Sequence, residues 1–289
     1  MEKRISPKNK AGFLATVLPV TIWMLAFFIV PLALILIVSF CARGEAGDVV
    51  YSFTLSNYGR IFNKLYLMIF FKSVLIGLFT TIVCLVLGYP FAFIIARSSK
   101  KLRPIFLLLI MIPFWTNSLV RTYAMIILLR TEGIINTLLM NIGLINEPLQ
   151  MMYNNFAVTI GMLYMMFPFM VLPLYASIEK LDMRILEAAE DLGATPVNKF
   201  LKVTLPLTKS GIISGSLLVF VPTLGLFFIT DLMGGSKVVL MSNLIKNQFL
   251  TARDWPFGSA ISVILMIVMV ILIFYYTKSS GNKQKWEVF

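Results

Sequence analysis

Polar and aromatic side chains recur at helical spacing inside one apolar stretch of the sequence. Members of this stripe are three or four residues apart, so one helix face would carry them: Trp115, Ser118, Thr122 and Met125. Three further polar side chains flank it: Asn117, Arg121 and Tyr123. Ring faces and hydroxyl groups can replace the water around a positive solute, so the stripe could line part of a path for such a solute. The alternative is packing, in which Trp115 fills a gap between helices and Asn117 and Arg121 bond to neighbouring helices.

Carboxylates are scarce in the apolar stretches, which hold no acid near their middle. Asp231, at the end of the fifth stretch, and Glu132, after the third, are the nearest candidates to neutralise a cation. Arg121 would repel a cation, so we expect it to pair with Asp231 if it faces the path. Tyr275, near the end of the last stretch, is either an interfacial aromatic residue or a lining residue near the exit.

The composition excludes several classes of protein. The 289-residue chain has no histidine and two cysteines, Cys41 and Cys84, so neither a metal site nor a disulfide framework is expected. It is 59% hydrophobic and 13% charged, whereas a soluble domain has about 25% charged residues. We therefore expect a non-catalytic membrane protein, and the absence of histidine removes the commonest general base.

The elements that must position these residues are membrane-spanning helices. Six apolar stretches are long enough to cross a bilayer, at about 11–40, 67–96, 105–129, 156–176, 210–230 and 257–277. No internal repeat or separate soluble domain is evident. The sequence predicts an all-α integral membrane protein with a single domain over 1–289.

The basic residues predict the orientation of this domain, because cytoplasmic loops hold an excess of Lys and Arg. Placing the amino terminus inside assigns sixteen of the 25 Lys and Arg residues to cytoplasmic segments. These are Lys3, Arg4, Lys8, Lys10, Arg97, Lys100, Lys101, Arg103, Lys180, Arg184, Lys199, Lys202, Lys209, Lys278, Lys283 and Lys285. Both termini are then cytoplasmic.

The connection between the fourth and fifth spans, 177–209, contains two short predicted helices. Asp182 suits an N-cap, and Gly193 stands where a left-handed residue would end the first helix. Thr195 and Pro196 suit the start of a second helix, which we expect to stop before Pro206. Both helices are amphipathic, so they should either bind a partner or lie against the membrane surface.

The order Glu187-Ala188-Ala189, Gly193 and Leu205-Pro206 resembles the EAA loop of permease subunits of binding-protein-dependent ABC importers. The resemblance implies the type I (MetI-like) permease fold and a loop that docks into a cytoplasmic ATPase subunit. It implies that the ATPase-coupling residues are Glu187, Ala188, Ala189, Asp191, Gly193, Leu205 and Pro206. The chain itself has no Gly-x-x-x-x-Gly-Lys-Ser/Thr segment, so ATP and Mg²⁺ are expected on that partner.

Further segments resemble the spermidine/putrescine group of these permeases. They are Gly88-Tyr89-Pro90-Phe91-Ala92, Pro113-Phe114-Trp115-Thr116-Asn117-Ser118-Leu119, Ser177-Ile178-Glu179-Lys180-Leu181, Asp231-Leu232-Met233-Gly234-Gly235 and Arg253-Asp254-Trp255-Pro256-Phe257-Gly258. The resemblance implies a bacterial inner-membrane importer working by alternating access, with a second permease, two ATPase copies and an external polyamine-binding protein. The residues themselves, and not the resemblance, give the predicted substrate path, which comprises Trp115, Asn117, Ser118, Thr122, Tyr123, Met125, Asp231 and Tyr275.

Two alternatives remain open. An importer for another small solute would share the same architecture. A stand-alone secondary transporter would need ion-coupling carboxylates inside the membrane, which the sequence lacks, and would leave the ordered loop unexplained.

Overall fold

The structure is a computed structural model that describes residues 7–45 and 47–279. Lys3, Arg4, Lys283 and Lys285, used above for orientation, lie outside these residues. The described residues form two compact units. One combines the chain up to Asn63 with Ile245–Ile267, and the other combines Lys64–Leu244 with the chain from Val268 onward.

The first unit is built from the amino-terminal helices and a short hairpin. Its own elements are α1 (Pro7–Met24), a π-helical turn (Leu25–Ile29), α2 (Val30–Ser39), the antiparallel strands β1 (Ala42–Arg43) and β2 (Val49–Val50), and α3 (Ser56–Ile61). Asn57 is buried and donates to the carbonyls of Ser39 (3.1 Å) and Cys41 (2.8 Å), which satisfies the end of α2.

The second unit contains most of the helices. They are α4 (Lys64–Arg97), α5 (Arg103–Met111), α6 (Ser118–Leu129), α7 (Ile134–Asn141), α8 (Asn155–Glu179), α9 (Met183–Asp191), α10 (Pro196–Lys199), α11 (Leu205–Leu207), α12 (Lys209–Gly225) and α13 (Phe227–Ile229). Residues of α14 (Met241–Leu250) and α15 (Trp255–Ser279) belong to both units. The connections between the long helices therefore carry short helices of their own.

Five helical stretches of the described chain are long and apolar enough to cross a membrane: Thr16–Ser39, Lys64–Arg97, Ser118–Asn141, Asn155–Glu179 and Trp255–Tyr275. The first combines part of α1 with α2, and the third combines α6 and α7. A sixth span results if Pro196–Leu207 and Lys209–Gly225, bent by 68°, count as one. The predicted fifth helix over 210–230 is shorter than expected, because the chain leaves the helical conformation at Leu226.

The predicted continuous third helix over 105–129 is wrong. After α5 the chain forms a 3₁₀ turn at Ile112–Trp115, and Thr116 and Asn117 are extended before α6 begins. Pro113 lacks an amide hydrogen, and the Asn117 side chain accepts from the Leu119 amide (2.8 Å), so local bonding ends one helix and begins another.

The core of the second unit lies where α4, α8 and α12 pack together. Met170, Val171 and Leu174 of α8 are fully buried there. Glycine allows this close approach, because a Cβ atom at Gly215 would lie 2.8 Å from the Met170 sulfur. A small residue on α12 thus permits close contact between the helices.

Candidate functional site

The first candidate site is the loop between α8 and α12, whose first helix forms as predicted. Asp182 is the N-cap of α9, accepting from the Arg184 amide at 3.0 Å. Gly193 has φ +80° and donates to the Glu190 carbonyl (2.8 Å), which ends the helix. A positive φ favours glycine here, since the left-handed region costs other residues about 1–2 kcal/mol.

The second helix begins as predicted and ends differently. The Thr195 hydroxyl accepts from the Asn198 amide at 3.3 Å, and Pro196 is the first residue of α10. A π-helical turn, Phe200–Thr204, then leads into α11, so the helical path continues past Pro206 to Leu207. The expected stop before Pro206 is wrong because this proline falls at the start of α11, where no intrahelical amide bond is needed.

The two loop helices are joined by an ion pair between Glu190 and Lys199. Sequence reasoning did not single out this pair, although opposite charges nine residues apart across a tight turn could have indicated it. The pair is partly exposed, so its main effect is to fix the angle of the turn rather than to add much stability.

The loop presents a mixed acidic and apolar surface. Leu192 is 89% exposed, and Val197 and Leu201 are also exposed, although all three are apolar. Glu187, Ala188, Asp191, Gly193 and Pro206 are exposed with them, whereas Ala189 and Leu205 are half-buried. Exposed apolar side chains grouped on an ordered loop indicate an interaction surface. We call Glu187–Leu192 with Val197 and Leu201 the loop surface.

Two cavities of the same unit are lined by residues that precede or follow the loop surface in the loop, together with residues of the long helices. One, of about 560 Å³, is lined by Ser177, Lys180, Asp182, Ile185, Ser210 and Ser214, among others. The other, of about 550 Å³, is almost entirely apolar and is lined by Tyr89, Pro90, Phe93, Phe200 and Ile212, among others. The π-helical turn that follows α10 therefore borders open space at Phe200 rather than a filled core.

The second candidate site is the predicted substrate path, whose residues lie on separate elements of the structure. Trp115 lies on the 3₁₀ turn and is 78% exposed. Thr122 lies beyond the break, is buried, and donates to the Ser118 carbonyl at 2.9 Å. Placing Trp115 on the predicted face is therefore wrong, because the prediction assumed an unbroken helix through residues 116 and 117. The other members of the stripe, Ser118, Thr122 and Met125, lie together on α6.

The remaining path residues are distributed as follows. Asn117 is used as the cap of α6, and Tyr123 and Tyr275 are exposed. Met125 is half-buried and packs against the core of the second unit. Asp231 lies in a π-helical turn, Thr230–Gly234, and accepts from the buried Asn243 amide.

Arg121 does not form the expected pair with Asp231. Its guanidinium lies 4.1 Å from the centroid of the Phe114 ring, and its Nε and Nη1 atoms are buried without a hydrogen-bond partner. Cation–π contact replaces an ion pair at this position. Among the described residues, no three His, Cys, Asp or Glu side chains lie close enough together to hold a metal ion.

Comparison with known proteins gives the family. A family model described as "Binding-protein-dependent transport system inner membrane component" matches residues 88–279. The chain is 46% identical over 258 residues to the spermidine/putrescine transport system permease protein PotB of Haemophilus influenzae, covering 89% of this chain and 90% of that protein. It is 47% identical to PotB of Escherichia coli over 89% of this chain and 94% of that protein.

Solved structures support the fold. A bacterial alginate ABC transporter, in complex with an alginate pentasaccharide-bound periplasmic protein, aligns with a TM-score of 0.77 over 94% of this chain and 95% of its own. The sequence identity is 15%, so this likeness concerns the fold alone. It confirms the predicted all-helical ABC permease fold. This PotB-like chain therefore belongs to the family of binding-protein-dependent transport system inner membrane components, and it is a multi-pass membrane subunit of such a system.

Proposed function

We propose that this chain is a permease subunit of an ATP-driven importer that moves polyamines such as spermidine and putrescine into the cytoplasm by alternating access. The observation that carries this proposal is the similarity to PotB proteins, 46–47% over most of the chain. The ordered, exposed loop surface supports the same function. The chain acts as a non-enzymatic subunit.

The loop surface is the docking site for the ATPase partner in this proposal. Leu192 and Val197 supply exposed apolar contact area, and Glu187 and Asp191 supply charge at its edge. ATP and Mg²⁺ bind to the partner, whose closure pushes on α9 and α10. We expect a PotC-like second permease, a PotA-like ATPase in two copies and a PotD-like external binding protein to complete the complex.

The moving loop can act on the membrane helices through its second helix. Phe200 contacts the ring of Tyr89 on α4, edge to face with centroids 5.3 Å apart. The apolar cavity beside these rings gives the helix room to shift. Movement of α10 would therefore be transmitted to α4 and α12, which line the core of the second unit.

For the substrate path we retain Trp115, Asn117, Ser118, Thr122, Tyr123, Met125, Asp231 and Tyr275 as proposed residues. Trp115 is the strongest of them, since its ring is exposed at a broken span. Broken helices are typical of transporter binding sites because they free backbone groups at membrane depth. A ring face there could replace part of the hydration of an ammonium group.

The proposal is tested in proteoliposomes that contain the complete complex, made by co-expressing this chain with the second permease and the ATPase. We expect uptake of radiolabelled putrescine or spermidine only with ATP and the loaded binding protein. Uptake by this chain without the ATPase would contradict the proposal in favour of a secondary transporter. Stimulation by another solute, with no effect of polyamines, would support the other-solute importer instead.

A further inference from the structure

A polar cavity lies away from both candidate sites, between the end of α6 and the start of α8. Its volume is about 350 Å³, at the lower end of the range for small-molecule sites. The residues that line it are Arg130, Thr131, Glu132, Gln150, Met152 and Tyr153. In the proposed orientation this cavity opens on the external side.

One buried side chain holds the two segments that carry these residues. Asn136 is fully buried and donates to the carbonyls of Arg130 (3.2 Å), Thr131 (3.1 Å) and Leu149 (2.9 Å). Its carbonyl oxygen accepts from the Leu149 amide at 2.9 Å. A buried amide with every group satisfied fixes its neighbours, so the cavity is preorganised.

Tyr153 at the rim is held in an uncommon backbone conformation. Its φ is +59°, a region that costs most non-glycine residues about 1–2 kcal/mol. Its amide donates to the Met233 carbonyl (2.9 Å), and its ring packs against Gly235, where an added Cβ would lie 3.0 Å from the ring. Such strain persists where the surroundings determine it, and it concentrates at functional sites.

The next residue, Asn154, links Tyr153 to the start of α8 and to Gln150. Asn154 caps α8 through the Ala157 amide (2.9 Å) and donates to the Gln150 carbonyl (3.0 Å). The half-exposed Tyr153 ring and the Gln150 backbone are therefore fixed relative to each other. Glu132, on the opposite segment, is exposed and forms no ion pair with any described residue.

We propose that this cavity is an external site for an ammonium group of the transported polyamine, with Glu132 as counter-ion and the Tyr153 ring and Gln150 amide as further contacts. The inference rests on the proposed function. A free carboxylate beside a fixed ring and an amide is a combination suited to an alkylammonium ion. The cavity would capture substrate released from the binding protein before it enters the membrane path.

Arg130 also lines the cavity, and its charge distinguishes a cation site from a protein-docking surface. Its positive charge opposes a cation, so removing it should improve capture. A surface that instead docks the binding protein through Arg130 and Glu132 would lose affinity when either charge is removed. Neutralising Glu132 and neutralising Arg130 therefore change substrate capture in opposite directions only if the ligand is a cation.

The experiment measures putrescine taken up per ATP hydrolysed in proteoliposomes with the complete complex and loaded binding protein. We expect Glu132→Gln to lower this ratio by roughly 2- to 5-fold, the size expected of a solvent-accessible ion pair. Binding-protein-stimulated ATPase activity should stay unchanged. Arg130→Gln should raise the ratio, and Glu147→Gln, an exposed acid of the same connection, is the matched control.

Two variants of Tyr153 distinguish the contribution of its ring from that of its backbone conformation. Tyr153→Asn keeps a residue that tolerates positive φ but removes the ring, so it should lower the ratio like Glu132→Gln. Tyr153→Phe should resemble wild type.

Three outcomes would overturn the proposal. An unchanged ratio in Glu132→Gln, with an active wild type, would overturn this site alone. A loss of ATPase stimulation in both charge variants would assign the cavity to binding-protein docking. A wild-type complex that takes up no polyamine would overturn the proposed function and the site with it.

Discussion

The hydroxyl of Tyr89 lies 2.8 Å from Oγ1 of Thr208, the residue at which the loop between α8 and α12 bends into α12. Thr208 itself donates to the Thr204 carbonyl (2.8 Å), so Tyr89 is the donor between the two hydroxyls. The Tyr89 ring also contacts Phe200 of the loop. The Tyr89 side chain of α4 thus contacts both Phe200 within the loop and Thr208 at the bend.

We expect Tyr89→Phe to weaken coupling while the protein still assembles. The substitution keeps the ring contact and removes one buried hydrogen bond, worth about 0.5–1.5 kcal/mol. Uptake per ATP hydrolysed should fall roughly 2- to 10-fold, because the bend at Thr208 is less firmly tied to α4. The control is Tyr58→Phe, which removes a similar bond to Ser39 (2.7 Å) in the first unit. Equal losses in both variants would contradict a special role for Tyr89.

Gly193→Val should uncouple transport by straining the turn between α9 and α10. Its φ is +80° and no atom lies within 4 Å of an added Cβ, so backbone strain of about 1–2 kcal/mol is the whole effect. Uptake and substrate-stimulated ATPase activity should fall together at normal membrane levels. Gly143→Val is matched in conformation, with φ +75° and open space, but lies outside the loop. It should keep normal ATP-coupled uptake, and the same result for Gly193→Val would remove the coupling role.

The sequence predicted the caps of this loop well because capping is local chemistry. Asp182, Gly193 and Thr195 each act through residues within four positions of themselves. The π-helical turn at Phe200–Thr204 was missed because no local residue type demands it. Tyr89 was part of a recognised segment, yet its contacts to Phe200 and Thr208 depend on packing between distant segments.

The substrate path was predicted less well for a related reason. Helical spacing was extended across Pro113 and Asn117, where local bonding breaks the helix, so Trp115 and Thr122 were placed on one face. The proline was visible in the sequence, but prolines 90, 168 and 173 lie inside continuous helices. Only the packed structure distinguishes these cases.

Trp115 should contribute to uptake through its ring face. Trp115→Leu keeps an apolar side chain and removes the ring quadrupole, so uptake should fall about 3- to 30-fold if one cation–π contact of about 0.5–2 kcal/mol is lost. Trp115→Phe should restore part of the rate. Rates are normalised to assembled complex in the membrane. Packing would instead make Leu and Phe equally tolerated, and equal rates for wild type and Trp115→Leu would take Trp115 off the path.

Asp254→Asn should destabilise the first unit. Asp254 is 1% exposed and accepts from Arg60 (2.9 Å), while Arg43 lies 3.7 Å away. It also caps α15 through the Phe257 amide (3.2 Å), a bond that asparagine can keep. Loss of the charge should therefore cost about 1–3 kcal/mol, seen as a lower thermal transition of the purified complex. Glu45→Gln, an exposed acid of the same unit, should leave that transition unchanged, and an equal transition in Asp254→Asn would contradict the pairing.

The orientation inferred from the basic residues can be tested by cysteine labelling, with positions chosen from the structure. Leu144, Leu250 and Leu192 are well exposed and therefore accessible to a thiol reagent once replaced by cysteine. In a variant whose buried Cys41 and Cys84 are replaced by alanine, Leu144→Cys and Leu250→Cys should react with an impermeant maleimide on intact cells. Leu192→Cys should react only after permeabilisation, because the inferred orientation places the loop surface on the cytoplasmic side. The reverse pattern would invert the orientation and remove the loop surface as an ATPase docking site.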